Sequence, residues 1–269
     1  MQEVLISLQA DLASGIAIRY ACQLEKSARF NMNAIHIPDM DEKGHSPGSG
    51  WVHQTWENAV IQQARKKIAQ LVKEDLFYCY LTRNPKIVPG EKEQVLLDEM
   101  RQKNYDFFIE GLLHSFEPDR FFQRLDSRLY RGLACPVLMV QNLTDLEKGI
   151  QIVGTRETVF SVLPWYFKLL KSLPEKPDIL LCHFEAPGGK ASFIENDTTL
   201  ISGIEDRFLK HGKKPGRIRT VKGSPNELGL LVRDHALIAS VLPQSRSSMA
   251  SMLSMSPCPI LLCPESKID

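Results

Sequence analysis

Three sequence landmarks occur twice, in the same order, along the 269-residue chain, and that duplication limits its fold more than any other feature. The first is an apolar run ending in His and a further apolar residue: NAIHIPD at 33–39 and ILLCHFE at 179–185. The second is VPGEKEQVLL at 88–97, matched by VKGSPNELGLL at 221–231. The third is Cys-Pro before an apolar run: CPVLMVQ at 135–141 and CPILLCP at 258–264. The spacing between copies falls from 147 residues (His36 to His183) through 133 (Gly90 to Gly223) to 123 (Cys135 to Cys258), so the second copy is the shorter. So long a period implies two duplicated domains, not a solenoid of small repeats. They are expected at 1–145 and 146–269, joined near 142–149.

Both halves alternate strand and helix patterns. In the first, strands are expected at 4–8, 32–37, 77–81, 86–88, 107–111 and 137–141. Helices are expected at 12–28, along the face of Val60, Ala64, Ile68 and Leu71, at 91–103, and after Pro118 with Phe121, Leu125 and Leu129 stacked. Residues 39–50 are rich in Gly, Pro and Ser and read as a loop. In the second half, strands are expected at 150–153, 179–184, 218–221, 237–242 and 260–263. Its helices span 157–173, which Pro164 should kink or restart, the Leu200–Ile204–Phe208 face stopped by Gly212, the capping box Ser224–Glu227, and 245–254. Apolar strands without polar alternation, separated by helices, indicate an α/β fold with a doubly wound parallel sheet covered on both faces.

Composition narrows the function. Lys and Arg number 33 against 32 Asp and Glu, which argues against a protein whose main task is to coat nucleic acid or an acidic membrane. Hydrophobic residues at 43% and charged residues at 24% are ordinary globular usage. No apolar run approaches the ~20 residues of a membrane helix, and the N-terminus lacks a basic leader, so neither a membrane nor a secreted protein is expected. The six cysteines form no CxxC pair and read as reduced, buried thiols of a cytoplasmic protein.

The ordered motifs resemble those of a tandem universal stress protein, over nearly the whole chain. The family pattern is carried by residues 4–9, 34–37, 88–96, 106–111 and 135–140, and again by 150–154, 181–184, 221–230, 237–241 and 258–262. The resemblance implies two tandem five-stranded parallel α/β domains, the second shortened. It also implies that the last strands, 137–141 and 260–264, pair antiparallel as an intramolecular pseudo-dimer, which would remove two open sheet edges. A homodimer through other surfaces and a protein partner follow as further expectations.

ATP-binding members of that family carry Gly-x-x-Gly-(nine)-Gly-Ser/Thr after the fourth strand, where glycines let backbone N–H groups reach phosphate at a helix start. Here Gly111 alone survives. His114 stands at the second glycine, Gln123 or Arg124 near the third, and Gln9 where the family has a base-binding Asp. Glu117 and Asp119 would repel phosphate, and Arg120 and Arg124 would partly compensate. In the second half the loop shrinks to LPQSR, and Ser247 matches the family serine without a glycine. The candidate ligand-binding residues are therefore Leu8, Gln9, Ile37, Gly111, His114, Arg120, Arg124 and Ser247, with ATP as the candidate ligand and no metal ligand or catalytic group assigned.

Other motifs read as structural. Gly188-Gly189-Lys190-Ala191-Ser192 lacks phosphate-loop spacing. The basic stretch 207–222 suits a helix C-terminus and lacks the aromatics of a nucleic-acid site beyond Phe208. Cys135 and Cys258 open apolar strands, and Trp51 and Trp56 flank His53 as a partner surface, a lid or helix packing. The first reading is a cytoplasmic, stress-associated regulatory or binding protein with degraded nucleotide sites. The alternatives are an adenine-nucleotide binder using the first cleft, with or without slow hydrolysis, and a regulatory domain of a longer transporter or kinase.

Overall fold

A computed structural model describes residues 1–40, 50–75, 81–112, 118–170, 172–173, 176–186 and 190–265. His114, Glu117, Gly188, Gly189 and most of the strand expected at 77–81 lie outside these residues, although Leu81 forms an isolated bridge with Met32.

The first half runs β1 (Gln2–Leu8), α1 (Leu12–Ala28), β2 (Phe30–His36), α2 (Trp51–Asp75), β3 (Lys86–Ile87), α3 (Lys92–Gln102), β4 (Phe107–Gly111), α4 (Pro118–Asp126), α5 (Arg128–Gly132) and β5 (Val137–Val140). The second runs β6 (Ile150–Gly154), α6 (Val159–Leu169), β7 (Asp178–Phe184), β8 (Ser192–Ile194), α7 (Thr198–Lys210), β9 (Ile218–Gly223), α8 (Pro225–Leu231), β10 (Leu237–Val241), α9 (Ser248–Leu253) and β11 (Ile260–Cys263). Side chains that compete with the helical ladder set the boundaries: Asp11 accepts from Ser14 N at 2.9 Å at the start of α1, and Glu91 accepts from Glu93 N and Gln94 N at the start of α3. The expected capping box at Ser224 and Glu227 is formed.

All the described strands belong to one sheet of order β3-β2-β1-β4-β5-β11-β10-β6-β7-β9-β8. Within each half the main ladders are parallel. The join is antiparallel, Leu138 facing Leu261 and Met139 facing Ile260, as expected for the segments 137–141 and 260–264. Because the join reverses direction, the carboxyl ends of β1 and β4 lie at the opposite edge of the sheet from those of β6 and β10. Val4, Ile6 and Leu8 enter the core on one face with α1, α2, α6 and α7, while Leu5 enters the core on the other with α3, α4, α5, α8 and α9. Covering both faces explains why the strands read as continuous apolar runs.

Four expectations are corrected. The helix after Pro118 breaks at Ser127, whose hydroxyl accepts from Tyr130 N at 3.2 Å and starts a new helix. Of the two outcomes expected at Pro164, a kink or a restart, the restart does not occur: helix α6 is continuous through it. The second half carries a sixth strand, β8, antiparallel to β9, so it is not a reduced copy throughout. Cys22 is disulfide-bonded, so the thiols are not all reduced; Cys135, Cys182, Cys258 and Cys263 are free and buried.

Two equivalent tyrosines give a paired test of the packing. Tyr20 on α1 donates to Ala236 O at 2.8 Å across the join, while Tyr166 on α6 is fully buried with a hydroxyl that has no partner. Burial pushes the Tyr166 hydroxyl pKa up to about 12. Tyr20→Phe should cost about 1 kcal/mol, with Thr144 still donating to Ala236 O, whereas Tyr166→Phe should cost nothing or stabilise by about 1 kcal/mol. Urea midpoints of the two variants would decide, and equal losses would contradict the assignment.

Candidate functional site

In an open α/β sheet ligands bind outside the carboxyl ends of the strands, at the point where strand order reverses. In the first half that point lies between β1 and β4, where Leu8, Gln9 and Gly111 come together. A cavity of about 360 Å³ opens beside it, over the ends of β1 and β2 and closed by α2. Its polar wall is Gln9, Asp11, His36, Asp39, Gln63 and Lys67. A second groove of about 450 Å³ continues along α1 and α2, sharing Asp11 and Lys67 with the first.

His36 is the best-defined group of the wall. It is 6% exposed, and its Nδ1 lies 2.7 Å from Leu8 O. A carbonyl oxygen only accepts, so Nδ1 carries the proton and Nε2 is left as the ring's acceptor. Burial lowers the His36 pKa, opposed by the Leu8 carbonyl; Lys67 and Lys92 lower it further and Asp11 raises it. The ring is thus neutral in the fold and gains a proton in the unfolded chain below its ordinary value of 6.5. Its contribution to stability is present above that value and is lost as pH falls towards the lowered folded pKa. The unfolding midpoint should therefore drop between about pH 7.5 and 5.5, and less steeply in His36→Asn. An unchanged slope in the variant would count against this protonation state.

The other expected residues divide. Leu8 is fully buried and contributes its carbonyl, not its side chain. Gln9 lines the cavity, its N–H bonded to Ser14 Oγ at 2.7 Å. Ile37 is 4% exposed and packs into the core on the other face of the sheet. Gly111 faces the backbone of α1: a methyl group there would sit 2.2 Å from Ala13 O. Arg120 is exposed in the first turn of α4. Arg124 is not directed at the cleft, because its Nη2 lies 3.3 Å from Glu110 Oε1. Ser247 lies past β10, at the opposite edge of the sheet, and caps α9 by accepting from Ala250 N at 3.2 Å. Ser247→Ala should cost about 1 kcal/mol, read by thermal melting, and leave any ligand affinity of the first half unchanged. A change in affinity would return Ser247 to the site.

Asp11, Gln63 and Lys67 were not singled out by the sequence. The helical face of Val60 and Ala64 was the available signal, since Gln63 and Lys67 flank it on α2. Part of the basic stretch makes local contacts: Arg207 lies over the Phe160 ring at 5.1 Å, Lys213 Nζ donates to Leu173 O at 3.1 Å, and Lys222 Nζ is 3.5 Å from Glu185 Oε1. Trp51 is 77% exposed, and His53 and Trp56 lie 5.7 Å apart. Among the described residues no helix is long and apolar enough to cross a membrane.

This architecture is that of the universal stress proteins. A universal stress protein from Archaeoglobus fulgidus DSM 4304 is similar over 99% of this chain and 97% of its own, with a TM-score of 0.66 and 12% identity. A functionally unknown protein from Pseudomonas aeruginosa PAO1 is similar over 98% and 93%, with a TM-score of 0.56 and 13% identity. A provisionally assigned universal stress protein from Pseudomonas aeruginosa UCBPP-PA14 is similar over 98% and 93%, at 0.53 and 12%. No protein-family model matches the sequence, and no curated protein is significantly similar to it.

Proposed function

We propose that the chain is a cytoplasmic, stress-associated regulatory or binding protein of universal stress type, with domains meeting near 142–149, that takes a small polar ligand without a triphosphate. The contrast between the two sides of the β1 end carries this reading. On the phosphate side, among the described residues, Gly111 packs against the Ala13 carbonyl, the Asp11 carboxylate caps the start of α1, and Arg124 is paired with Glu110. On the β2 side the cavity offers His36, Gln63 and Lys67 in a space of about 360 Å³. Ala64, on the cavity wall, gives the test. In a thermal-shift screen of polar metabolites at least one should bind, and Ala64→Phe should weaken it about tenfold or more. No binder, or undiminished binding in the filled variant, would overturn the reading.

A second reading is an adenine nucleotide in the same cavity, favoured by Gln9, which stands on its wall at the base-binding position. The two readings differ in the response to MgATP. A homodimer is proposed only as a further level of assembly, read by the mass of the chain in solution.

A further inference from the structure

Glu110, at the end of β4, is 3% exposed and lies on the face covered by α3, α4 and α5. Its Oε1 is 3.2 Å from Lys92 Nζ and 3.3 Å from Arg124 Nη2. Its Oε2 accepts from the Tyr130 hydroxyl at 2.9 Å. Three helices thus each send one donor to a single carboxylate. Burial, then the Glu110 charge, pushes the Tyr130 pKa well up, which keeps the phenol a donor. The corresponding strand position in the second half, next to last in β10, is Ser240, fully buried with an unpartnered Oγ. The fold therefore does not require a carboxylate at that position.

We propose that Lys92, Arg124 and Tyr130 form a seat for a small oxyanion, and that Glu110 fills it from within. An ammonium, a guanidinium fork and a phenol are the donor set that recognises carboxylate and phosphate oxygens. The Lys92 and Arg124 side chains keep 31% and 32% of their surface, so the seat opens to solvent while its occupant does not. The tethered carboxylate excludes free anions and holds the first half in an anion-bound state with no ligand. This inference holds whatever occupies the cavity beside β2.

The test is chemical rescue. Glu110→Ala should melt about 6–12 °C below the parent chain, because two cations lose their buried partner. Sodium acetate, at matched ionic strength against chloride, should raise the variant's Tm by roughly 3–5 °C at ten times its Kd, and leave the parent unmoved. A parallel phosphate series reads whether the larger anion also fits; rescue by either anion supports the seat, and adding Lys92→Met should abolish it. Rescue by neither, or an equal response of the parent chain, overturns it. If Glu110→Ala does not fold, Glu110→Ser takes its place, copying the residue of the second half. Failure of both to fold would make the carboxylate a folding requirement and end the proposal.

Discussion

Gly111→Ala lowers the stability of the chain by about 3 kcal/mol, near the upper end of overpacking effects. The added methyl would lie 2.2 Å from Ala13 O, 2.5 Å from its carbonyl carbon and 3.1 Å from Ser14 N. These are backbone atoms of the first turn of α1, so no rotamer change relieves the contact. The helix cannot retreat cheaply either, since Ala17, Ile18, Tyr20, Ala21 and Leu24 bury its face in the core and Asp11 fixes its start. In urea the midpoint should fall with an unchanged slope. A loss below about 0.5 kcal/mol would show that packing does not demand the glycine, and would return it to a ligand role.

Leu261→Ala costs about 3–4 kcal/mol and leaves one cooperative transition. Leu138 and Leu261 face each other across the antiparallel join, each 1% exposed. Both belong to a core that also holds Ile6 and Ile18 from the first half and Ile152 and Tyr166 from the second. Removing one side chain leaves a void shared by both halves. Calorimetry should show a lower Tm with a single peak. Two resolved peaks, or a loss under about 1 kcal/mol, would contradict a continuous core.

Much of the architecture was legible because its signals are local. Apolar strands, the Ser224 cap and the stop at Gly212 each fix an element without reference to distant residues. The join of β5 to β11 was legible through the repeated Cys-Pro strand and the resemblance it supports. What escaped depends on contacts between distant segments. β8 is three residues long and exists by pairing with β9, twenty-odd residues later. The break at Ser127 reflects a hydroxyl competing for the Tyr130 amide, inside a pattern whose apolar spacing reads as one helix.

The candidate site divides for the same reason. Gln9 and Gly111 were placed at the correct strand ends, yet the role of Gly111 is set by a helix whose approach no spacing reveals. Arg124 resembles a phosphate ligand in sequence, and Glu110, fourteen residues earlier, takes it. Ser247 matched a motif position but serves as a helix cap. Lys67 lies on a largely exposed helix, and only the packing of α2 across the end of β2 turns it to the cavity.

The most direct test is a calorimetric titration of the full chain with MgATP. No saturable heat is expected, because among the described residues Gly111 packs against the α1 backbone, Asp11 caps the start of α1 and Arg124 is paired with Glu110. Saturable binding tighter than ~100 µM, about −5.5 kcal/mol, would contradict it and make the first half a nucleotide site.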